Sequence, residues 1–358
     1  MTMLPVRWDL FCRVIDNLGD AGVCWRLAAD LAARGESVRL VIDDPTPLAH
    51  IAPAGAAGVE VLRWRDEVAL PADIDGVVEA FGCDPPPCYV AQMARCARPP
   101  CWINLEYLSA EAHALRSHGL PSPQFEGPGR GLTKWFFHPG FTPDSGGLLR
   151  EPGLLAARAA FERDAWLQTM GWPRAHDEQL AVLFSDAHAG IEQWLGALAS
   201  RPTLLLVPQG PAQSLVHATL GPRLQQRSLR ALLLPWLTQP QFDRLLWSAD
   251  CCVVRGEDSL VRALWAGAPF FWQLYPQRDG AHRVKLQAFL ERWAAEVPPP
   301  PGVAEWFVWW NAEAGASAPP PRWPDAAAWR AAVIAWRDRL AGQADLATRL
   351  IGFVAAKR

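Results

Sequence analysis

The stretch Trp8–Asp44, WDLFCRVIDNLGDAGVCWRLAADLAARGESVRLVIDD, carries the signal that decides the fold. Trp8–Val14 is a short apolar run of strand type. It leads through DNLGDAG into VCWRLAADLAARG, where apolar side chains return at helical spacing and Gly35 takes the C-cap position. SVRLVIDD, Ser37–Asp44, follows as a second strand closed by two acids. Strand, helix and strand in succession make a βαβ unit, and its crossover imposes a parallel sheet.

Working outward, further strands are expected at Val59–Leu62, Gly76–Glu79 and Cys101–Leu105. Gly119–Glu151 is rich in Gly, Pro and aromatics with little periodicity, and reads as an ordered functional loop region. A helix with Phe161, Trp166 and Leu167 follows, and GWPRAHDEQ then breaks the pattern before a fresh strand, Leu180–Phe184. From there the rhythm repeats: a helix through Ile191–Leu198, the strands TLLLVPQ and ALLLPWL, a helix around QFDRLLWSA, the strand CCVV and a helix over Asp258–Ala266. Such alternation twice over is the doubly wound α/β pattern in duplicate. It predicts an N-terminal Rossmann-like domain over 1–175 and a second over 176–342. The last helix is expected at Asp325–Val354, with 343–358 joined to the first domain. PPPP at Pro298–Pro301 and PPP at Pro319–Pro321 read as connectors flanking an aromatic helix.

The chain has 358 residues, half of them hydrophobic, and a formal net charge of -3. Two ordinary α/β cores fit that length. No basic field exists to hold a nucleic acid or an anionic membrane, so any phosphate site must be local. Lysine appears only at Lys134, Lys285 and Lys357, the other basic residues being arginine. Cys83, Cys88, Cys96 and Cys101 lack paired CxxC spacing, and Cys251-Cys252 adjoins Val-Val, which favours buried free thiols over a metal site. The opening MTMLPVRWDLFCRVIDN has no signal-peptide core, and no apolar run is long enough to span a membrane. A cytoplasmic protein is expected.

Three constellations could carry chemistry. Asp16-Asn17-Leu18-Gly19-Asp20 lies where the first strand hands the chain to a helix. Two carboxylates there suit a cationic substrate or a general base rather than a phosphate, although Asp16 would also cap a turn and Asp20 a helix. Arg255-Gly256-Glu257-Asp258-Ser259 opens a helix after CCVV, and its free N–H groups, hydroxyl and guanidinium make an anion site for a nucleotide diphosphate that needs no metal. Glu257 can accept from sugar hydroxyls, while Asp258 also suits the helix cap. Tyr275 and Gln277, in WQLYPQ, follow one βα unit later. Phe184, Trp236 and Phe242 stand at or near strand ends, where a ring could stack on a base.

Together WDLFCRVIDNLGDAGVCWRLAADLAARG, WINLEYLSAEAHALRSHGLPSPQ, KWFFHPGFTPDSGGLLRE and FDRLLWSADCCVVRGEDSLVRALWAGAPFFWQLYPQ resemble the arginine rhamnosyltransferases of bacterial elongation factor P, the EarP family. The resemblance runs from Trp8 to Gln277 and rests on DNxGD, FFxPGFT, RGEDS and YPQ. It implies a GT-B glycosyltransferase, two Rossmann-like domains facing a central cleft. The donor would be dTDP-β-L-rhamnose, the acceptor an arginine of elongation factor P, and the outcome inversion, in support of polyproline translation. By motif, Asp16 and Asp20 would face the acceptor guanidinium, with Asp20 the base or orienting group and Asn17 and Gly19 beside them. Phe184, Trp236, Arg255, Glu257, Asp258, Ser259, Tyr275 and Gln277 would hold the donor, with no metal or cofactor. The chain departs from the pattern where Ser-Asp-Ala-His follows Phe184, the family's usual Tyr-Glu being absent, where Trp236 stands for Phe, and after Pro298. The alternatives are a GT-B enzyme for another sugar or acceptor and a non-catalytic partner of elongation factor P.

Overall fold

The computed structural model describes residues 5–16, 18–65, 68–188, 190–277, 279–312 and 319–357. The chain divides into two compact units, Met1–Pro152 with Ala341–Arg358, and Gly153–Leu340.

The first unit is built on seven strands: β1 (Arg7–Cys12), β2 (Ser37–Ile42), β3 (Val59–Arg63), β4 (Gly76–Ala80), β5 (Cys101–Leu105), β6 (Pro121–Pro123) and β7 (Thr133–Phe137). β1 and β2 run parallel in the register Arg7↔Ser37 to Cys12↔Ile42. The helix between them, Gly19–Ala33, packs Cys24, Leu27, Ala28 and Leu31 onto Leu10, Val38 and Leu40. Strand faces covered on both sides explain why these strands read as unbroken apolar runs. The strand order is β3-β2-β1-β4-β5-β7-β6. The chain therefore winds outward to β3, returns, and lays β4 against the other edge of β1. Loops leaving β1 and β4 diverge at that switch, which opens a crevice at their C-terminal ends.

The second unit repeats the device with β8 (Gln179–Leu183), β9 (Thr203–Val207), β10 (Gln225–Gln226), β11 (Leu229–Leu233), β12 (Cys251–Arg255) and β13 (Phe270–Gln273). Their order is β10-β11-β9-β8-β12-β13, parallel except for the β10–β11 pair. Here the switch falls between β8 and β12.

Three expectations are corrected. Gly119–Glu151 contains β6 and β7, with β7 parallel to β5 and antiparallel to β6. Lys134-Trp135-Phe136-Phe137 is too brief and too closely flanked by glycine and proline to announce a strand, and its pairing with β5 supplies what periodicity lacks. The final helix is two, Ala326–Ala341 and Leu346–Lys357. The chain leaves the second unit between them: Arg150 donates to the carbonyls of Ala341 and Gln343, Arg34 meets Asp345 at 2.9 Å, and Leu350 and Val354 join the core of the first unit. Finally, the units part near Gly153 rather than at 175/176. Arg158 donates to Ala266 O, Arg163 makes a two-pronged ion pair with Asp250, and Phe161 meets Trp247 edge to face, so 153–175 finds its partners in the second unit.

All eight cysteines are free thiols; Cys12, Cys24, Cys83, Cys251 and Cys252 are buried, whereas Cys88 is exposed and Cys96 and Cys101 are intermediate. Among the described residues no helix is long and apolar enough to cross a membrane.

Two glycines give a test of this packing. Gly147 has φ +76°, and a Cβ there would lie 2.6 Å from Ala344 O. Gly147→Ala should cost at least about 1 kcal/mol through the left-handed backbone alone. Gly196, inside the helix Gly190–Leu198, has nothing within 4 Å of such a Cβ. Gly196→Ala should add roughly 0.5–1 kcal/mol. Thermal melts of the two variants moving in the same direction would contradict this placement of the C-terminal segment.

Candidate active site

The crevice of the first unit is lined by the segments that leave β1, β4 and β5. Gly19 N–H donates to Asp16 O at 2.6 Å, so the β1 loop turns tightly into the helix. Asp20 is 3% exposed and sits in the first turn. Its Oδ2 accepts from the N–H groups of Ile15 and Asp16 at 2.9 and 3.0 Å, and its Oδ1 from the Tyr107 hydroxyl at 3.2 Å. It is therefore not an N-cap: Leu18 holds that position without a side-chain bond. Asp16 is exposed, and its Oδ2 would lie 2.8 Å from a Cβ at Gly19, which accounts for glycine there. Asn17 lies outside the described residues.

Tyr107 stacks on Phe81, with ring centroids 4.2 Å apart and an interplanar angle of 8°. Phe81 has φ +58° and Asp84 φ +48°, left-handed conformations that cost a side chain-bearing residue about 1–3 kcal/mol each and concentrate at functional sites. Asn104 accepts from Gly82 N–H at 3.1 Å and donates to Glu106 at 2.7 Å, which fixes that acid at the mouth of β5. Burial pushes the Glu106 carboxyl up.

Five carboxylates are buried among the described residues: Asp9, Asp20, Asp30, Glu79 and Asp243. Arg39 pairs with Asp9, Arg34 with Asp30, Lys134 with Glu79 and Arg262 with Asp243. Asp20 alone has only neutral donors. Buried charges are ordinarily paired, because desolvation makes an isolated one expensive. A carboxylate held by two amides and a phenol, at the C-terminal edge of a parallel sheet, has the chemistry to receive a cation.

The crevice of the second unit gathers other chemistry. Arg255 ends β12 and donates to Asp186 at 2.5 Å, while its guanidinium lies 5.5 Å from the Phe184 ring centroid. Asp186 N–H donates to Gln273 Oε1 at 2.7 Å, so β8, β12 and β13 are tied together at their C-terminal ends. Gly256, φ +72°, lets the chain turn directly into the helix Glu257–Ala266, and Trp272 Nε1 donates to its carbonyl. Glu257, Asp258 and Ser259 are the first helical residues, and Lys285 reaches Glu257 from the helix Ala281–Glu296. Tyr275 and Gln277 follow β13 and are exposed, Tyr275 at 78%. Trp236, 44% exposed, follows β11, two strands from β8; the aromatic that meets Phe184 is Phe242, edge to face at 5.0 Å.

A groove of about 570 Å³ opens instead at the N-terminal ends of β1–β3, lined by Arg7, Asp9, Arg39 and Glu60. Its buried acid is already neutralised by Arg39, and it lies at the sheet edge opposite the crevice. Among the described residues no three His, Cys, Asp or Glu side chains are arranged to hold a metal ion. Tyr107, Asn104, Glu106, Asp186, Gln273 and Lys285 were not assigned a site role from the sequence. All but Lys285 lie in or beside the quoted motifs, and Lys285 stood out only as one of three lysines.

Two Rossmann-like units, each with its polar groups at the strand switch, define the chain as a GT-B glycosyltransferase. The fold is shared with the glycosyltransferase SnogD from Streptomyces nogalater, at TM-score 0.57 and 15% identity over 99% of this chain and 100% of that one. The family described as Elongation-Factor P (EF-P) rhamnosyltransferase EarP matches residues 8–355, and the chain belongs to that family. It is 42% identical to the protein-arginine rhamnosyltransferase of Pseudomonas aeruginosa, over 97% of this chain and 98% of that protein. A solved structure described as the structural basis for EarP-mediated arginine glycosylation of translation elongation factor EF-P matches at TM-score 0.65 and 31% identity, covering 98% of this chain and 99% of that one.

The geometry of Asp20 predicts how it tolerates change. Asp20→Asn can present its carbonyl to the two N–H groups and its amide to the Tyr107 oxygen, so the fold should hold within about 1 kcal/mol. Asp20→Ala removes the acceptor that these three donors share and should cost more, about 1–3 kcal/mol. Thermal melts check both values; equal destabilisation by the two would show that the loop depends on charge rather than on hydrogen bonding.

Proposed function

We propose that this chain transfers L-rhamnose from dTDP-β-L-rhamnose to an arginine side chain of elongation factor P in the cytoplasm, with inversion and without metal or cofactor. The observation that carries the reading is the buried carboxylate of Asp20, the one buried acid without a basic partner among the described residues. The family supplies the acceptor that this site fits. A guanidinium is planar, always cationic and rich in donors, and at a usual pKa of about 12.5–13.8 it is a poor nucleophile.

In this reading the exposed Asp16 and the buried Asp20 hold the guanidinium from the β1 loop. Attack through nitrogen develops positive charge, which the Asp20 carboxylate stabilises or relieves by taking a proton. Tyr107 and the two amides keep that carboxylate in place while the acceptor comes and goes. In the second unit, Arg255 and the N–H groups at Asp258 and Ser259 receive the diphosphate as negative charge builds on the leaving group, the service a cation would otherwise provide. Phe184 stands beside the guanidinium as a base-stacking surface, Trp236, Tyr275 and Gln277 border the same strand ends, and Glu257 faces the sugar hydroxyls.

Intact mass of elongation factor P after incubation with this protein and dTDP-β-L-rhamnose should show one added deoxyhexose, through many turnovers and unaffected by EDTA. Addition from another nucleotide sugar instead would reassign the donor. Loss of turnover on chelation, restored by Mg²⁺ or Mn²⁺, would sink the metal-free account, and a single equivalent of product would mark a non-catalytic partner.

Two substitutions should separate the halves of the reaction. Asp20→Asn should lower the single-turnover rate by about 10²–10⁴-fold while dTDP still binds. Arg255→Ala should weaken dTDP by about ten-fold or more, since a charge-assisted contact is worth about 1.5–3 kcal/mol, and leave binding of elongation factor P intact. A folded Asp20→Asn enzyme at near-native rate would transfer the role to Asp16.

A further inference from the structure

We infer that the stacked rings of Tyr107 and Phe81 form the surface on which the acceptor guanidinium lies flat, so that this pair selects arginine over other cationic side chains. The inference rests on the reading of Asp20 as the acceptor carboxylate. It adds what that acid alone does not supply, a preference for a planar cation.

A carboxylate attracts lysine as well as arginine, because the Coulomb attraction depends on charge and distance alone. What sets a guanidinium apart is its delocalised plane, which is weakly hydrated and stacks on an aromatic face, whereas an ammonium is a compact and strongly hydrated point charge. A site that distinguishes the two gains from a flat π surface within reach of its acid. Tyr107 brings one there: its hydroxyl donates to Asp20 Oδ1 at 3.2 Å, so its ring lies beside the carboxylate.

That ring is also held in place. Phe81 stacks on it, centroids 4.2 Å apart and planes 8° from parallel, yet Tyr107 remains 43% exposed, which leaves ring surface open to a ligand. Phe81 adopts φ +58°, a conformation retained only where its surroundings demand it. Its N–H donates to Leu105 O at 2.7 Å, and the N–H of Gly82 to Asn104 Oδ1 at 3.1 Å. Both bonds tie the end of β4 to β5, the strand that leads into Tyr107. Other near-parallel pairs, such as Phe270 with Trp293 and Phe271 with Trp310, are wholly buried and build core. This pair instead reaches solvent beside a buried acid.

The competing account is that Phe81 only props the Tyr107 hydroxyl against Asp20. Calorimetry on the full chain, without donor so that no transfer occurs, separates the two by using three forms of elongation factor P. One is native, one has lysine for the acceptor arginine and so keeps the charge but not the plane, and one has methionine and keeps neither. Tyr107→Leu should weaken binding of the native form by about five- to thirty-fold, the worth of a partly to fully desolvated cation–π contact, and of the other two by less than about two-fold. The acceptor KM should rise to match while the donor KM stays. Tyr107→Phe keeps the ring, so it should bind all three forms as the unmodified chain does and lower only the single-turnover rate, through the donor lost to Asp20. Equal losses on all three forms in Tyr107→Leu, no loss on any, or Tyr107→Phe binding as weakly as Tyr107→Leu would overturn the inference alone. Asp20→Asn reports on the reading beneath it and should weaken the arginine and lysine forms but not the methionine form. If it made no such distinction, the acceptor reading would fall and this inference with it. A melt accompanies each variant; should Tyr107→Leu fail to fold, Tyr107→Met replaces it with the same outcomes.

Discussion

Parallel strands can be joined only by a crossover, and the crossover has one hand, so every strand of a parallel sheet delivers its chain to the same edge. That constraint organises both units. Where the winding reverses, between β1 and β4 in one and between β8 and β12 in the other, neighbouring loops part and leave backbone and side chains uncovered. Asp16 and Asp20 follow β1, Phe81 and Asp84 follow β4, Asp186 follows β8, and Arg255 ends β12. Each is at a switch. These groups share the C-terminal edge of each sheet because that is where parallel strands deliver their following loops.

The two crevices differ in their electrostatics. In the first unit a buried carboxylate with no basic partner among the described residues is held by neutral donors alone. Two amides and a phenol do this for Asp20, giving directional hydrogen bonds that hold the group without competing for its charge. A resident arginine, such as Arg39 beside Asp9, would have neutralised it. The second unit opens a helix with two acids and pairs charges beside it: Arg255 with Asp186, Lys285 with Glu257.

The βαβ reading of Trp8–Asp44 was legible because its signal is local: apolar period, an acid-bearing loop and a glycine stop, all within one stretch of chain. The same holds for RGEDS, where Gly256 at φ +72° must be glycine and the acids and serine must open a helix. β7 was not legible, since four residues that pair with β5 carry no period of their own. Nor was the division of the last helix, where the break is set by Arg150 reaching carbonyls some 190 residues away. The fate of 153–175 was likewise decided by distant partners, Asp250 and Trp247.

By itself, then, the sequence determined the α/β class, the duplication and the two acid-bearing loops at the strand ends, because each follows from neighbours within a few residues. The tertiary structure decided which carboxylate is buried without a cation, that Tyr107 and not a helix cap holds it, that Phe242 rather than Trp236 meets Phe184, and that Asp186 and Lys285 stand beside Arg255 and Glu257. Those outcomes depend on strands and helices far apart in the chain coming side by side, and burial, pairing and the balance of charge exist only once they have done so.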